Sequence, residues 1–506
     1  MPDTEKLYPN YDPTIWLRTC EEEINEPLEG KTTGVIPSWL QGTLLRNGPG
    51  CNKIGSCQYE HIFDGLALIH RFAIKDGKAT YQCRFLRSET YKKNMTAQRI
   101  VVTEFGTRSV PDPCRTIFDR ISSVFNFTLE RTDNAGVSVY PFGDQIYALT
   151  EVPVMFKIDP VSLETTGKET LPHSLVVNHT AHPHVMPNGD VYNVGMNTLK
   201  GDLKHVIVKF SYSKTGNMFE TAEIVGGARP RWKYNPAYMH SFGVTENYFV
   251  IIEQPLVISI LNYLRRFVVK QPFSTTLVSY PEYETNIILI NRETGDEKRY
   301  STDTIYFLHI INCFEKDGKL NVDLCSYKDA KVLDAMFTSA INNMQSNPDY
   351  GQWCQSRPKR IEIPLDAPPL SHVETHLIAD LGVETPMINY KLCNGKPYRY
   401  FYGIGSDVDT SYAGSIVKVD TKSGAVLSWQ ESKCYPSEPV FIANPDGQDE
   451  DDGILLSAVL WSNNDRAITL LVLNAKNLEE IARTEFSTPS QTTKCFHGWF
   501  LPDQNK

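Results

Sequence analysis

The chain of 506 residues contains no apolar run approaching the ~20 residues that a membrane-crossing helix needs. Its first residues, Met-Pro-Asp-Thr-Glu-Lys-Leu-Tyr, include neither a basic nor an apolar signal region, so the expectation is a protein that is neither secreted nor transmembrane. Cys-x-x-Cys pairs are missing as well. Eleven cysteines, an odd number, are scattered from Cys20 to Cys495, which reads as free thiols in a reducing compartment, with the cytosol expected. Positive charge is in deficit: 50 Lys and Arg face 60 Asp and Glu, for a net charge of −10, which argues against a general nucleic-acid surface. Strict internal repeats and low-complexity tracts are absent too.

What the chain does have is a rhythm of short strands. Segments 143–151, 189–195, 246–253, 318–325 and 453–460 each follow a Gly, Asp or Asn turn with a β-branched or aromatic run. Segments 290–299 and 417–426 read as hairpins on an outer edge. Four-strand units of this kind predict an all-β fold, a β-propeller, because blades set radially leave only short edges. Residues 1–506 are expected to form one such domain, since all-β folds often run long as single units. Three stretches break the rhythm and are predicted helical: 114–129, 255–270 and 330–344. The first two are amphipathic, and the second carries Arg265, Arg266 and Lys270. They fit either helices packed on the sheets or an apolar patch dipping into one bilayer leaflet.

Four histidines lie in apolar or aromatic settings: His182 in Ala-His-Pro-His, His240 in Tyr-Met-His-Ser-Phe, His309 in Phe-Leu-His-Ile-Ile-Asn and His497 in Cys-Phe-His-Gly-Trp-Phe. An imidazole so placed must be satisfied by a hydrogen bond or a metal. Their separations of 58, 69 and 188 residues fit no local metal motif, so only the fold can bring them together. Converged, they would offer four neutral nitrogens, a set suited to iron, copper, zinc or nickel. A divalent ion among neutral ligands needs nearby carboxylates to accept the free ring N–H groups. Glu151, Glu384 and Glu438 sit where a solvated carboxylate is not expected, and spacing alone leaves open whether they are surface residues, structural charges or those acceptors.

These four histidine motifs, with Gly-Thr-Leu-Leu-Arg-Asn-Gly-Pro-Gly (42–50), His-Ile-Phe-Asp-Gly-Leu-Ala (61–67), Pro-Asp-Pro-Cys (111–114), Tyr-Pro-Ser-Glu-Pro (435–439) and Glu-Asp-Asp-Gly (450–453), resemble the carotenoid cleavage oxygenase family over nearly the whole chain. The resemblance implies a seven-bladed propeller with a helical cap over one face and Fe(2+) on its axis, held by His182, His240, His309 and His497. It implies that Glu151, Glu384 and Glu438 bond to three of those histidines. It places Phe105, Thr150, Tyr238 and Tyr327 on a substrate cavity, and makes residues 114–129 and 255–270 a monotopic contact with an intracellular membrane. His184 matches a neighbouring motif position, while His61, His70, His173, His179, His205, His372 and His376 match no ligand position.

Within the family the chain is similar to the animal branch, its insect members above all. That likeness implies cleavage of a carotenoid of the β-carotene or zeaxanthin type by dioxygen at the central 15,15' double bond, giving two retinal-type aldehydes. Isomerisation of one product from all-trans to 11-cis is inherited from the resemblance alone. Two other expectations are kept beside it: retinyl-ester isomerohydrolysis, in which the iron acts without dioxygen, and carotenoid binding without chemistry. Cys114 matches a position where acylation is an option.

Overall fold

In the computed structural model, which describes residues 6–110, 132–198, 201–214 and 217–503, seven antiparallel sheets form the blades of a β-propeller. The predicted strands are present as Gln145–Leu149, Val191–Asn197, Tyr248–Glu253, Lys319–Tyr327 and Gly453–Trp461. The two outer hairpins appear as Thr285–Asn291 with Glu297–Thr302 and as Ile416–Asp420 with Val426–Trp429. Alternating apolar residues on these strands fill apolar clusters between successive sheets, as in the packing of Val250, Ile252, Ile287 and Leu289 against Leu320, Val322 and Leu324.

The ring closes by two pairings. The C-terminal strand His497–Pro502 joins Gly42–Pro49 of the first sheet, with His497 opposite Asn47. The N-terminal strand Lys31–Gly34 in turn adds to Glu480–Ser487 at the outer edge of the seventh. Each terminal segment thus completes the blade begun by the other.

The helices depart from their expected bounds for local reasons. Residues 255–270 begin as a strand, Leu256–Ile258, paired with Leu277–Ser279. The helix starts only at Ile260–Val269, where the Ser259 side chain accepts from Asn262 N and caps it. The expected helix 330–344 is divided into Lys331–Ala335 and Thr338–Asn343. Phe337 is extended between them (ψ 137°) because it bridges to His61, whose ring it meets edge-on at 4.8 Å. Residues 114–129, Cys114 included, lie outside the described residues. The other ten cysteines are all free.

Candidate metal centre

Each of the seven sheets delivers one residue to the cluster around the propeller axis, four of them a histidine and three a glutamate. Glu151 follows Gln145–Leu149 of the second sheet, and His182 lies between Asn178–His179 and His184–Val185 of the third. His240 precedes Gly243–Val244 of the fourth, and His309 lies within Tyr306–Lys316 of the fifth. Glu384 belongs to Val383–Met387 of the sixth, Glu438 sits between Cys434–Pro436 and Val440–Ala443 of the seventh, and His497 opens the strand that closes the first. The register of Tyr306–Lys316 slips between Phe307 and Ile310 and again before Asn312. This irregularity frees His309 from the ladder and turns it inward. Serine hydroxyls set neighbouring blades in register beside the site: Ser138 Oγ donates to Ala181 O at 2.5 Å, Ser241 Oγ to Leu308 O at 2.7 Å, and Ser356 Oγ to Val383 O at 2.5 Å.

All four histidines converge. The His182 ring centroid lies 4.8, 5.0 and 4.5 Å from those of His240, His309 and His497. Ligating atoms of His182, His309 and His497 fall within 4.8 Å of one another, and His240 Nε2 is 3.2 Å from His182 Nε2. Three rings turn their Nδ1 outward: His240 to Glu151 Oε1 at 2.8 Å, His309 to Glu384 Oε2 at 2.6 Å and His497 to Glu438 Oε1 at 2.7 Å. A carboxylate can only accept, so each Nδ1 carries the proton and each Nε2 presents a lone pair to the axis. The carboxylates are held in turn: Tyr238 Oη donates to Glu151 Oε1 at 2.6 Å, Tyr327 Oη to Glu384 Oε1 at 2.8 Å and Gly498 N to Glu438 Oε2 at 3.0 Å.

The electrostatics leave this cluster wanting a cation. Burial, reinforced by the three neighbouring rings, holds His182 well below the usual histidine range and therefore neutral. Burial pushes the Glu384 and Glu438 carboxyls up, but the histidine N–H groups and backbone donors outweigh it and keep both below the usual carboxylate range. His309 Nε2 is buried without a hydrogen-bond partner, and the lone pair of His240 Nε2 faces His182 Nε2. An imidazole nitrogen left unpaired in a buried site where three other imidazoles converge is satisfied by a metal ion. With four nitrogen donors and no carboxylate in direct position, the set fits a first-row transition metal.

Five of the other histidines have partners of their own. His184 contacts Tyr390 Oη and Phe242 O, His61 contacts Leu333 O, His70 contacts Tyr81 Oη, His179 contacts Val152 O and His205 contacts Glu253.

Residues 17–502 match the family described as retinal pigment epithelial membrane protein. The chain belongs to this family, the carotenoid oxygenases. It is 58% identical over 503 residues to the carotenoid isomerooxygenase of Galleria mellonella, covering 98% of each chain. It is 40% identical to the carotenoid isomerooxygenase of Drosophila melanogaster (98% of this chain, 94% of the relative). It is 34% identical to the beta,beta-carotene 15,15'-dioxygenase of Homo sapiens (97% and 95%). A solved mutant of the Synechocystis apocarotenoid oxygenase shares the fold with a TM-score of 0.80 at 23% identity, over 97% of this chain and 99% of that one.

In this carotenoid oxygenase a cavity of about 520 Å3 opens beside the histidines. Phe105, Thr150, Tyr238 and Tyr327 all lie on its wall, with His240, His309 and His497. One part of the wall comes from Met196, Ile258, Ile260, Tyr263 and Phe273, beside the helix Ile260–Val269; another comes from Trp16, Ile341, Tyr350 and Cys354. The described helices Ile260–Val269, Lys331–Ala335, Thr338–Asn343 and Tyr350–Cys354 therefore cap the site.

Two residues at the site were given no role from sequence. Arg46 is fully buried behind Glu438, and Lys494 lines the cavity while donating to the carbonyls of Tyr435 and Pro436. Burial lowers the Lys494 ammonium to about 7. A charged residue inside the apolar run Thr-Leu-Leu-Arg-Asn was the available signal for Arg46, since arginine is seldom fully buried unless paired.

Proposed function

We propose that the protein is a ferrous iron-dependent carotenoid isomerooxygenase that splits the central 15,15' double bond of a carotenoid with dioxygen. The overall reaction adds both oxygen atoms across one carbon–carbon double bond and yields two retinal-type aldehydes, one of them 11-cis. The observation that carries the reading is the four-histidine, three-glutamate set on the axis, opening on an apolar cavity. Relatives named for this activity at 58% and 40% identity support it.

The iron would be held by the Nε2 atoms of His240, His309 and His497, with His182 completing the set, and bound ferrous iron supplies the redox chemistry with dioxygen. The protein's own part is positional. Tyr238 and Tyr327 keep their phenolic protons, because burial and the adjacent carboxylates push both well above the usual tyrosine range. Their rings flank the cavity while their hydroxyls fix Glu151 and Glu384, so the groups that face a polyene also orient the ligands. Holding the reacting bond in one geometry beside the histidines is a large share of the catalysis such a site can provide. Aromatic faces also stabilise positive charge developing on a polyene.

Substrate reaches the cavity from a bilayer leaflet. On the helix Ile260–Val269, Ile260, Tyr263 and Arg266 line the cavity, whereas Leu261 and Leu264 are 76% and 61% exposed. Arg265 and Lys270 are exposed beside them, and Tyr234, 67% exposed, accepts from Ile260 through its carbonyl. Exposed leucines ringed by cations suit the headgroup boundary of a membrane. On this reading the protein is peripheral to an intracellular membrane and works from the cytoplasmic side.

The test is to load the purified protein with Fe(II) without air, then add all-trans β-carotene or zeaxanthin in detergent. Oxygen uptake and isomer-resolved chromatography are followed together. Oxygen-dependent C20 aldehydes including an 11-cis isomer are expected. All-trans aldehydes alone would remove the isomerase activity, and turnover of retinyl esters without oxygen uptake would replace the reading with isomerohydrolysis.

A further inference from the structure

Glu438 differs from the other two carboxylates in what stands behind it. Glu151 and Glu384 each take a neutral phenol, whereas Glu438 faces the guanidinium of Arg46, whose Nη2 lies 4.0 Å from Glu438 Oε2. Arg46 is 0% exposed. All its nitrogens are engaged within two segments that carry site residues. Nη1 donates to Glu438 O at 2.9 Å, Nη2 to Phe496 O at 2.9 Å, and Nε to Cys495 Sγ at 2.8 Å. The fork therefore ties the backbone of Glu438 to the backbone that precedes His497, and it does so across the seam where the ring closes.

The sequence Phe-His-Gly is built around this contact. A Cβ on Gly498 would fall 2.9 Å from Arg46 Cγ and 2.6 Å from Leu45 O, so only glycine leaves room for the arginine. Its N–H is also the second donor to Glu438. Lys494, the other buried basic residue at this seam, spends its N–H groups on the Tyr435 and Pro436 carbonyls, and His70 lies opposite Arg46 on the neighbouring strand with its ring bonded to Tyr81.

Charge counting gives the arrangement a purpose. Four neutral imidazoles contribute nothing, the three carboxylates contribute −3, and a ferrous ion contributes +2. The shortfall is one positive charge, and the guanidinium of Arg46, paired with Glu438, supplies it. We propose that Arg46 is a charge-balancing and positioning residue of the metal centre, which fixes Glu438 and His497 and biases the site toward the ferrous state. Loss of a buried positive charge near the ion favours the ferric form, because the uncompensated carboxylate then stabilises the extra charge on the metal. This inference rests on the iron reading above.

The experiment compares wild type, Arg46→Gln and Arg46→Lys, each loaded with Fe(II) under argon, by iron content, Fe(III)/Fe(II) midpoint potential and rate of oxidation in air without substrate. R46Q is expected to show a lower midpoint and roughly tenfold faster oxidation in air. R46K keeps the charge without the fork, so it is expected to hold the wild-type midpoint while losing thermal stability. Because R46Q leaves a buried carboxylate unbalanced, the pair Glu438→Gln and R46Q/E438Q gives the same comparison with that charge removed: E438Q raises the midpoint and the double variant brings it back. Folded, iron-loaded R46Q with the wild-type midpoint, or a double variant equal to E438Q alone, overturns the assignment. A wild-type protein that retains no iron would sink the iron reading itself, so the two failures are distinguishable.

Discussion

Glu384 accepts from three donors at once: His309 Nδ1 at 2.6 Å, Tyr327 Oη at 2.8 Å and Thr385 N at 2.8 Å. Only the first transmits to the axis, and the other two fix the carboxylate that receives it. Glu384→Gln removes the charge that raises the basicity of His309, and iron affinity is expected to fall by roughly 10–100-fold. Tyr327→Phe keeps the ring on the cavity wall and the charge on Glu384 but deletes one donor, so its loss should be smaller, on the order of tenfold or less. Chelator competition with Fe(II) measures both, and a Tyr327→Phe variant losing as much as Glu384→Gln would show that the phenol does more than orient. The histidines and glutamates were legible in the sequence because each stands in a local motif that the resemblance could match. Arg46 lay inside one of those same motifs, yet it acts through Glu438, which is 392 positions away and reached only when the ring closes.

At the scale of the element, strands were easier to read than helices. Turn residues punctuate each strand, whereas the bounds of Lys331–Ala335 and Thr338–Asn343 depend on a bridge from Phe337 to His61 that no local pattern encodes. The helix Ile260–Val269 has one apolar face on the cavity and another exposed, and hydrophobic periodicity alone cannot separate them. Its outward face supplies the prediction. Leu264 is 61% exposed, so Leu264→Glu removes little packing from the fold. If that face enters the headgroup region, the substitution forfeits about 1.5–3 kcal/mol of apolar burial, and partition onto liposomes should drop at least tenfold. Cleavage of carotenoid carried in liposomes should fall with it, while cleavage of detergent-dispersed carotenoid should hold. Equal losses in both formats would place the defect in the cavity instead.

At the scale of the whole molecule, the propeller class was legible from the strand rhythm, but the number of blades was not. The blades share a backbone plan and fill their interfaces with different side chains, so no sequence repeat marks them. Because four sheets send a histidine to the axis and the other three each brace one of those histidines with a glutamate, a metal there would tie all seven together, the first and last through the His497–Glu438 bond across the seam. The metal should therefore stabilise the ring as a unit. A ligand at a hundredfold its dissociation constant adds about 2.7 kcal/mol to a fold that binds it only when folded. Fe(II) titrated anaerobically into apoprotein is expected to raise the unfolding midpoint by a few degrees in a single shifted transition. His309→Ala, which removes one donor and frees Glu384, should show little of that gain. A transition that splits on loading, with part of the chain melting at the apo temperature, would mean that the blades on either side of the seam respond to the metal independently.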